Sequence, residues 1–267
     1  MTAHRLINRR VAIAEMGKAG LAIVVLGTAA CSEPISGIGT SADGSTAVAP
    51  VTTGTARAPT SMVTSSAATT ATAVTGFQRA NLDFVSAYIL YRDGEAALVD
   101  TGVEGSAAAI EASLAEAGLG WGAVGHVILT HKHPDHAGSV DEVMIQAPGA
   151  ILYAGAAEIS QITSTAIPEA VADGDMVFDL QMIDTPGHTA GHICVLDPLA
   201  GILVTGDALV GGAQGVEPPD PSFSEDMASA LESVAKLAGF DYEVALFGHG
   251  EPLLEGASAA VTALARA

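Results

Sequence analysis

The sequence is poor in cysteine, in basic residues and in aromatic side chains. Its 267 residues include 2 Cys, 10 Lys or Arg against 30 Asp or Glu, and 4% aromatics. Two cysteines cannot build a disulfide-stapled scaffold or an all-cysteine zinc site, so His and carboxylate side chains must hold any metal ion. The net charge of −20 repels nucleic-acid phosphates, and we expect no nucleic-acid partner. The length suits one or two domains.

Residues 1–31 have the pattern of an export signal. Basic residues precede a short apolar run at 20–27, and small residues lead to Cys31. The run is shorter than the ~20 apolar residues of a membrane-spanning helix. Arg9-Arg10 fits a twin-arginine signal as well as the general secretory route, and Cys31 is either the lipidated cysteine of a lipoprotein or part of a removed peptide. We expect an exported protein, lipid-anchored in the cell envelope through Cys31 or secreted.

Residues 32–76 form a low-complexity segment of Ser, Thr, Ala, Gly and Pro without aromatic residues. Such a segment cannot bury enough apolar surface to offset its chain entropy, so we predict a disordered linker. The folded domain is then 77–267, where 5 basic and 27 acidic residues give a net charge of −22. No feature of the sequence indicates an oligomeric state.

Apolar runs between turn signals predict a mixed domain in which strands outnumber helices. The runs 84–91 and 96–99 flank Asp93-Gly94, which is typical of a β-hairpin. Two sheets packed face to face with helices outside would bury the apolar runs on both sides. Further strands are predicted at 126–130, 150–153, 176–180, 182–184, 192–196 and 201–205, and helices at 106–117, 138–145, 225–238 and 256–265.

A dense group of metal-binding side chains follows the predicted strand at 126–130. His131, His133, Asp135 and His136 fall within six residues, and Pro134 disfavours a regular helix through them. A fold would otherwise have to solvate or pair all four side chains, so their density predicts a metal site.

Three further candidates lie at other strand ends: His188, Asp207 and His249. Each follows an apolar run and is flanked by glycine, which lets the backbone come close to a ligand. Each alone could be a turn residue, but together they predict the remainder of a ligand set.

With these elements in this order, residues 77–267 resemble the metallo-β-lactamase superfamily, in the His-x-His-x-Asp-His form of its binuclear members. Asp100-Thr-Gly102 is similar to the family's first turn. The resemblance implies an α/β (α+β) fold, the four-layer αβ/βα sandwich, with two zinc ions per chain. The implied ligands are His131, His133 and His188 for one ion, Asp135, His136 and His249 for the other, and Asp207 as the bridge.

The resemblance also implies a chemistry, in which metal-bound hydroxide attacks the acyl carbonyl of a small ester, lactone, thioester or amide. Asp135 would be catalytic by orienting this hydroxide. Asp100 and His192 are candidates for holding ligands or loops in place, although His192 fits a plain core histidine equally well. We expect Lys132 to face solvent and Cys194 to be a small core residue.

The family contains several activities, and details of the sequence choose among them. An aspartate at the bridging position, here Asp207, makes the sequence resemble the thioesterases and lactonases of the family rather than its β-lactamases. Few basic residues weigh against hydroxyacylglutathione, and the loops 208–223 and 154–168 are expected to form largely uncharged pocket walls. The alternatives are a β-lactamase, a mononuclear iron persulfide dioxygenase, and a binding protein with structural metals.

Overall fold

The structure is a computed structural model that describes residues 75–213 and 215–267. The expected export signal, Cys31 and nearly all of the predicted linker lie outside the described residues. The first strand begins at Thr75, two residues before the boundary that composition indicates. Within the described part of the chain, no helix combines the length and the apolar character needed to cross a bilayer.

The first sheet has six strands in sequential order, β1 to β6. The first three strands are antiparallel, and β3 to β6 are parallel. The predicted hairpin is confirmed, with Asp93 and Gly94 at φ 53° and 85°, the left-handed values that a tight hairpin turn requires. The strands are β1 (Thr75–Leu82), β2 (Val85–Arg92), β3 (Glu95–Val99), β4 (Val124–Leu129), β5 (Ile151–Gly155) and β6 (Glu169–Val171).

The second sheet has five strands in the order β13-β10-β9-β8-β7. Its strands are antiparallel except for the parallel pair β10 and β13. A separate two-stranded ribbon, β11 and β12, lies between β10 and β13 in sequence. The strands are β7 (Met176–Val177), β8 (Leu180–Asp184), β9 (Ile193–Asp197), β10 (Ile202–Gly206), β11 (Val210–Gly212), β12 (Gly215–Glu217) and β13 (Val244–Phe247).

Five α-helices complete the described part of the domain. The predicted helices at 106–117, 138–145, 225–238 and 256–265 are present, each one or two residues shorter or shifted at its ends. The helices are α1 (Ala107–Glu116), α2 (Pro134–Ala137), α3 (Val140–Gln146), α4 (Met227–Leu237) and α5 (Ala257–Leu264).

Three buried clusters show how the layers stack. One joins the first sheet to α1 and α3, the second fills the space between the two sheets, and the third joins the second sheet to α4 and α5. The two-residue period of a strand divides neighbours between clusters, since Ile89 packs under the helices and Leu90 between the sheets. This order of helix, sheet, sheet and helix confirms the predicted four-layer αβ/βα sandwich.

Two local predictions were wrong. The run 176–180 is not one strand, because Phe178 and Asp179 adopt φ 54° and 58° and turn the chain from β7 into β8. The prediction that no regular helix contains the ligand candidates of 131–136 holds for His131 and His133 but was wrong for Asp135 and His136. Pro134 begins α2, where its missing N–H leaves no hydrogen bond unmade. No range was predicted for β1, β6, β11 or β12, and β13 was expected only as the apolar run before His249.

Candidate metal centre

The structure brings all seven predicted ligand residues together at one end of the two sheets. The segment from His131 to His136 leaves β4 and continues into α2. His188 lies between β8 and β9, Asp207 follows β10, and His249 follows β13. The first sheet therefore supplies four of the ligand candidates and the second sheet three.

Their donor atoms form three groups of three that can hold a metal ion, and the group of His131, His136 and Asp207 shares one histidine with each of the other two. His131, His133 and His188 make one group, and Asp135, His136 and His249 make another, with the donor atoms in each group within 4.8 Å of one another. In the first group, His188 Nε2 lies 2.9 Å from His133 Nδ1. In the second, His249 Nε2 lies 3.3 Å from Asp135 Oδ2. These are the two sets that the family resemblance implies.

Asp207 lies between the two groups. Its Oδ1 is 3.2 Å from His136 Nε2, and its Oδ2 is 3.4 Å from His188 Nε2 and 3.3 Å from His249 Nε2. One carboxylate therefore contacts donor atoms of both groups, which is the position that a bridging ligand requires.

Two buried polar atoms of this cluster, His131 Nε2 and Asp207 Oδ1, lack a hydrogen-bond partner. Burying such atoms without a partner is costly, and native structures avoid it unless a water or an ion satisfies them. A cation between the two groups would satisfy both atoms. The donors are imidazole nitrogens and carboxylate oxygens, which suit zinc and also iron. The residues present therefore fit a metal pair.

The remaining ring nitrogens of these histidines are fixed by neighbours. His136 Nδ1 contacts Asp100 Oδ2 at 2.8 Å, and His249 Nδ1 donates to the carbonyl of Phe84 at 2.8 Å. His131 Nδ1 lies 3.0 Å from Thr130 Oγ1. Each contact leaves Nε2 as the atom directed at the metal-binding cluster.

Asp100 does more than hold His136, because it also accepts hydrogen bonds from the backbone N–H and the hydroxyl of Thr130 at 2.8 and 2.9 Å. It is 2% exposed. This one carboxylate thus links the ring of His136 to the residue that precedes His131.

His192 contacts the backbone of a ligand residue rather than its side chain. The N–H of Asp207 donates to His192 Nε2 at 3.1 Å, so Nδ1 carries the proton and donates to Thr185 Oγ1 at 2.8 Å. Burial lowers the pKa of His192 to about 3, which keeps the ring neutral and able to accept.

The two groups differ in charge. Burial lowers the pKa of His131 well below its usual range and that of His188 to about 4, so both rings are neutral. Hydrogen bonds to Asp135 and Asp207 raise the pKa of His249 to about 10. Burial opposes the charged form of His136, but Asp207 and Asp100 outweigh it and raise its pKa well above the usual value. A metal ion must displace these protons, because only neutral imidazole binds a metal.

Two glycines next to ligand residues, Gly206 and Gly248, allow neighbouring side chains to pack closely against the backbone. A Cβ at Gly248 would lie 2.5 Å from Asp207 Oδ1 and 2.6 Å from the His136 ring. At Gly206, where φ is +48°, it would lie 2.7 Å from His192 Nε2. Neither contact is tolerable, so any larger residue would displace the cluster.

Lys132 does not face solvent, contrary to the prediction. Its side chain is 14% exposed, and Nζ donates to Glu225 Oε1 at 2.6 Å and to Gln161 Oε1 at 2.8 Å. The side chain thus connects the two segments expected to flank the pocket, since Gln161 lies in 154–168 and Glu225 lies two residues after 208–223. The N–H of Glu225 in turn donates to the carbonyl of His188.

Glu158 is a buried carboxylate that sequence reasoning missed. It is fully buried, and its two oxygens accept from the N–H of Lys132 at 2.9 Å and of Gly191 at 2.7 Å. One donor lies between His131 and His133, and the other follows His188. Glu158 therefore ties together the two loops that carry the first ligand group. The only hint in the sequence is a lone glutamate after the small residues that end β5.

We expect Glu158→Gln to weaken both folding and metal binding. A glutamine offers one acceptor oxygen, so its amide would face the second N–H donor and leave that donor unpaired. The free energy of unfolding of the metal-free chain should fall by about 1–3 kcal/mol. Metal affinity, measured by titration against a chelator, should fall at least about tenfold. Glu169→Gln, on the exposed side of β6, is the matched control. Unchanged metal affinity would show that Glu158 supports only the fold.

Comparison with known proteins agrees with this geometry. Residues 80–249 match the family model of the metallo-beta-lactamase superfamily. The chain is 31% identical to the thioesterase pkgB of Emericella nidulans over 135 residues, which are 49% of this chain and 36% of that protein. It is 36% identical to a hydroxyacylglutathione hydrolase of Alkalilimnicola ehrlichii over 122 residues, 45% of this chain and 44% of the relative. The chain thus spans less than half the length of these two relatives.

A solved structure shows the same architecture. The chain superposes on a metallo-beta-lactamase family protein of Thermus thermophilus with a TM-score of 0.56 and 25% identity, covering 68% of this chain and 74% of the other. The family match covers most of the described residues and includes all seven ligand candidates, the last of which, His249, is its final residue. This chain is a member of the metallo-β-lactamase superfamily.

Proposed function

We propose that this chain is an exported hydrolase that uses two zinc ions to cleave the acyl bond of a small ester, lactone, thioester or amide. The observation that carries the proposal is the position of Asp207, whose two oxygens contact donor atoms of both ligand groups. The names of the two relatives, a thioesterase and a hydroxyacylglutathione hydrolase, support acyl-bond cleavage. The proposal that the protein is exported, and held in the cell envelope through Cys31 or secreted, rests on the sequence of residues 1–31 alone.

When bound, two zinc ions supply a Lewis acid for the acyl carbonyl and lower the pKa of a water molecule. Asp135 is the group of this chain best suited to orient that water. In the metal-free chain, burial raises its pKa, but the hydrogen bond from His249 and the charge of His136 outweigh burial and lower it, so Asp135 is a carboxylate before a metal ion binds. Its side chain is 26% exposed, so a substrate can reach it.

The described residues offer no alternative cysteine nucleophile. Cys194 lies in β9, is fully buried and contacts Thr185 and the carbonyl of Thr205. Burial raises the pKa of its thiol to about 12, so it is a core residue rather than a reactive thiolate. Hydrolysis through an activated water therefore fits this site better than covalent catalysis by cysteine.

The alternatives are separated by the second ligand group. A mononuclear iron dioxygenase needs only one group of three ligands, whereas here Asp135, His136 and His249 form a second group. A β-lactamase remains the closer alternative, because it shares the fold and the chemistry of an acyl carbonyl. Asp207 in the position of a bridge is the feature that favours a thioesterase or a lactonase.

Elemental analysis and turnover by the full chain test the proposal together. We expect about two zinc ions per chain, hydrolysis of a phenyl ester, a thioester or a lactone, loss of this activity with a chelator, and its return with zinc. About one iron per chain with oxygen consumption in the presence of a persulfide would contradict it. A β-lactam cleaved faster than every ester, lactone and thioester would favour the alternative.

A further inference from the structure

We propose that the site selects uncharged acyl substrates and disfavours anionic ones, because the cations beside the metal-binding cluster are already used within the protein. This inference rests on the proposed function. It concerns which acyl compounds the hydrolase takes, and it is argued from the basic residues of the domain.

Only five basic residues lie between positions 75 and 267, namely Arg79, Arg92, Lys132, Lys236 and Arg266. Two of them contact residues adjacent to a ligand. Lys132 stands between His131 and His133, and Arg79 donates to the carbonyl of Gly250 next to His249. Arg92 is at the far end of β2, paired with Asp197, and Lys236 on α4 pairs with Asp173. Arg266 follows α5, whose buried face packs against the outer side of the second sheet. A substrate carboxylate could therefore find a partner only in Arg79 or Lys132.

Both of these cations are already paired with a carboxylate and use most of their N–H donors within the protein. The guanidinium of Arg79 donates to Ser86 Oγ, to Glu251 Oε2 and to the carbonyl of Gly250, at 2.9, 2.9 and 3.0 Å. Lys132 donates to Glu225 and Gln161. Taking Lys132 from these partners would also separate the two segments that it joins. In either case, a substrate anion would have to share the cation with a carboxylate that already neutralises its charge.

The charge of the domain acts in the same direction. A net charge of −22 repels an anion over about a Debye length, roughly 10 Å at 0.1 M salt, and has no such effect on a neutral molecule. Two zinc ions would add four positive charges, so the net charge of the domain would still be −18.

Exposed aromatic side chains flank the cluster instead. Phe84 is 58% exposed, and its ring is parallel to that of His249 within 8°, with centroids 6.1 Å apart. Phe223 is 68% exposed and precedes Ser224, whose hydroxyl lies 3.5 Å from His188 Nδ1. Phe84 thus lies beside the second ligand group, where it can contact an apolar part of the substrate, and Phe223 is one residue from a contact of the first group.

The test compares phenyl acetate with 3-acetoxybenzoate, which differ by one carboxylate meta to the same acetyl ester. For the full chain loaded with zinc, we expect kcat/KM to be at least about tenfold higher for phenyl acetate at low salt. Raising the salt concentration should increase kcat/KM for the anion and leave the neutral ester unchanged, because salt screens repulsion. An anion bound by a cation of the protein would show the opposite trend.

Lys132→Met separates the two roles of this side chain. If Lys132 only links the two segments, Lys132→Met should change kcat/KM for both esters by the same factor. Lys236→Met is the control for loss of an ion pair elsewhere. Equal or faster turnover of 3-acetoxybenzoate, with a loss confined to it in Lys132→Met, would overturn the inference alone. No turnover of either ester by the chain with two zinc ions would overturn the proposed ester hydrolysis and this inference with it.

Discussion

Asp207→Asn should lower the metal content from two ions to at most one per chain and reduce kcat/KM for an acyl substrate by at least about 10³, which corresponds to roughly 4 kcal/mol of transition-state stabilisation. The carboxylate is 8% exposed and lies within 3.4 Å of His136, His188 and His249. Asparagine keeps the size of the side chain but removes the negative charge and one of two equivalent oxygens. It therefore cannot serve both ligand groups at once.

The control for this variant is Asp173→Asn, an exposed aspartate that pairs with Lys236. It should retain both metal ions and full activity, because exposed ion pairs contribute little. Metal content by elemental analysis and kcat/KM are measured on the same preparations, with circular dichroism to show that each variant is folded. An Asp207→Asn protein with two ions and near-normal turnover would contradict the bridging role.

The second large effect is expected at Asp100. Asp100→Asn removes a buried charge that faces His136 and Thr130, and leaves the imidazolium of His136 with one carboxylate fewer. Breaking a buried pair in this way costs about 3–5 kcal/mol, which should appear in the free energy of unfolding of the metal-free chain. Metal affinity should also fall about 10–100-fold, because His136 loses the partner that orients its ring.

Asparagine is the informative replacement because Asp100 has φ 64°, a left-handed conformation that asparagine tolerates. Asp93→Asn is a matched control, since Asp93 also has a positive φ of 53° but lies in the exposed hairpin turn. Its stability should change by no more than about 0.5 kcal/mol. If both variants lost the same stability, backbone conformation rather than the buried charge would be the cause.

Much of the fold could be predicted because strand periodicity and turn residues are local signals. The hairpin at Asp93-Gly94 needs residues that favour positive φ, and both residue types do. The turn at Phe178-Asp179 has the same backbone but an aromatic residue inside an apolar run, so nothing in the local sequence indicates that the strand ends. Pro134 is compatible with both a helix break and a helix start, and only the preceding extended residue decides between them.

The ligand candidates could be predicted because histidine and aspartate at strand ends are conspicuous. The residues that hold these ligands in place are harder to identify from the sequence. Glu158 accepts hydrogen bonds from two backbone N–H groups. Since nearly every residue has a backbone N–H, such partners leave no recognisable pattern in the sequence. Lys132 looks like a surface residue until the segments containing Gln161 and Glu225 are brought to it by the fold.

The order in which the ligands occur along the chain has a consequence for synthesis. The first group is complete once the ribosome has made His188, whereas the second needs His249, after β13. A nascent chain therefore contains all three histidines of the first group before Asp207 and His249 exist. The first ligand group is thus complete along the chain while the second sheet still lacks β10 and β13.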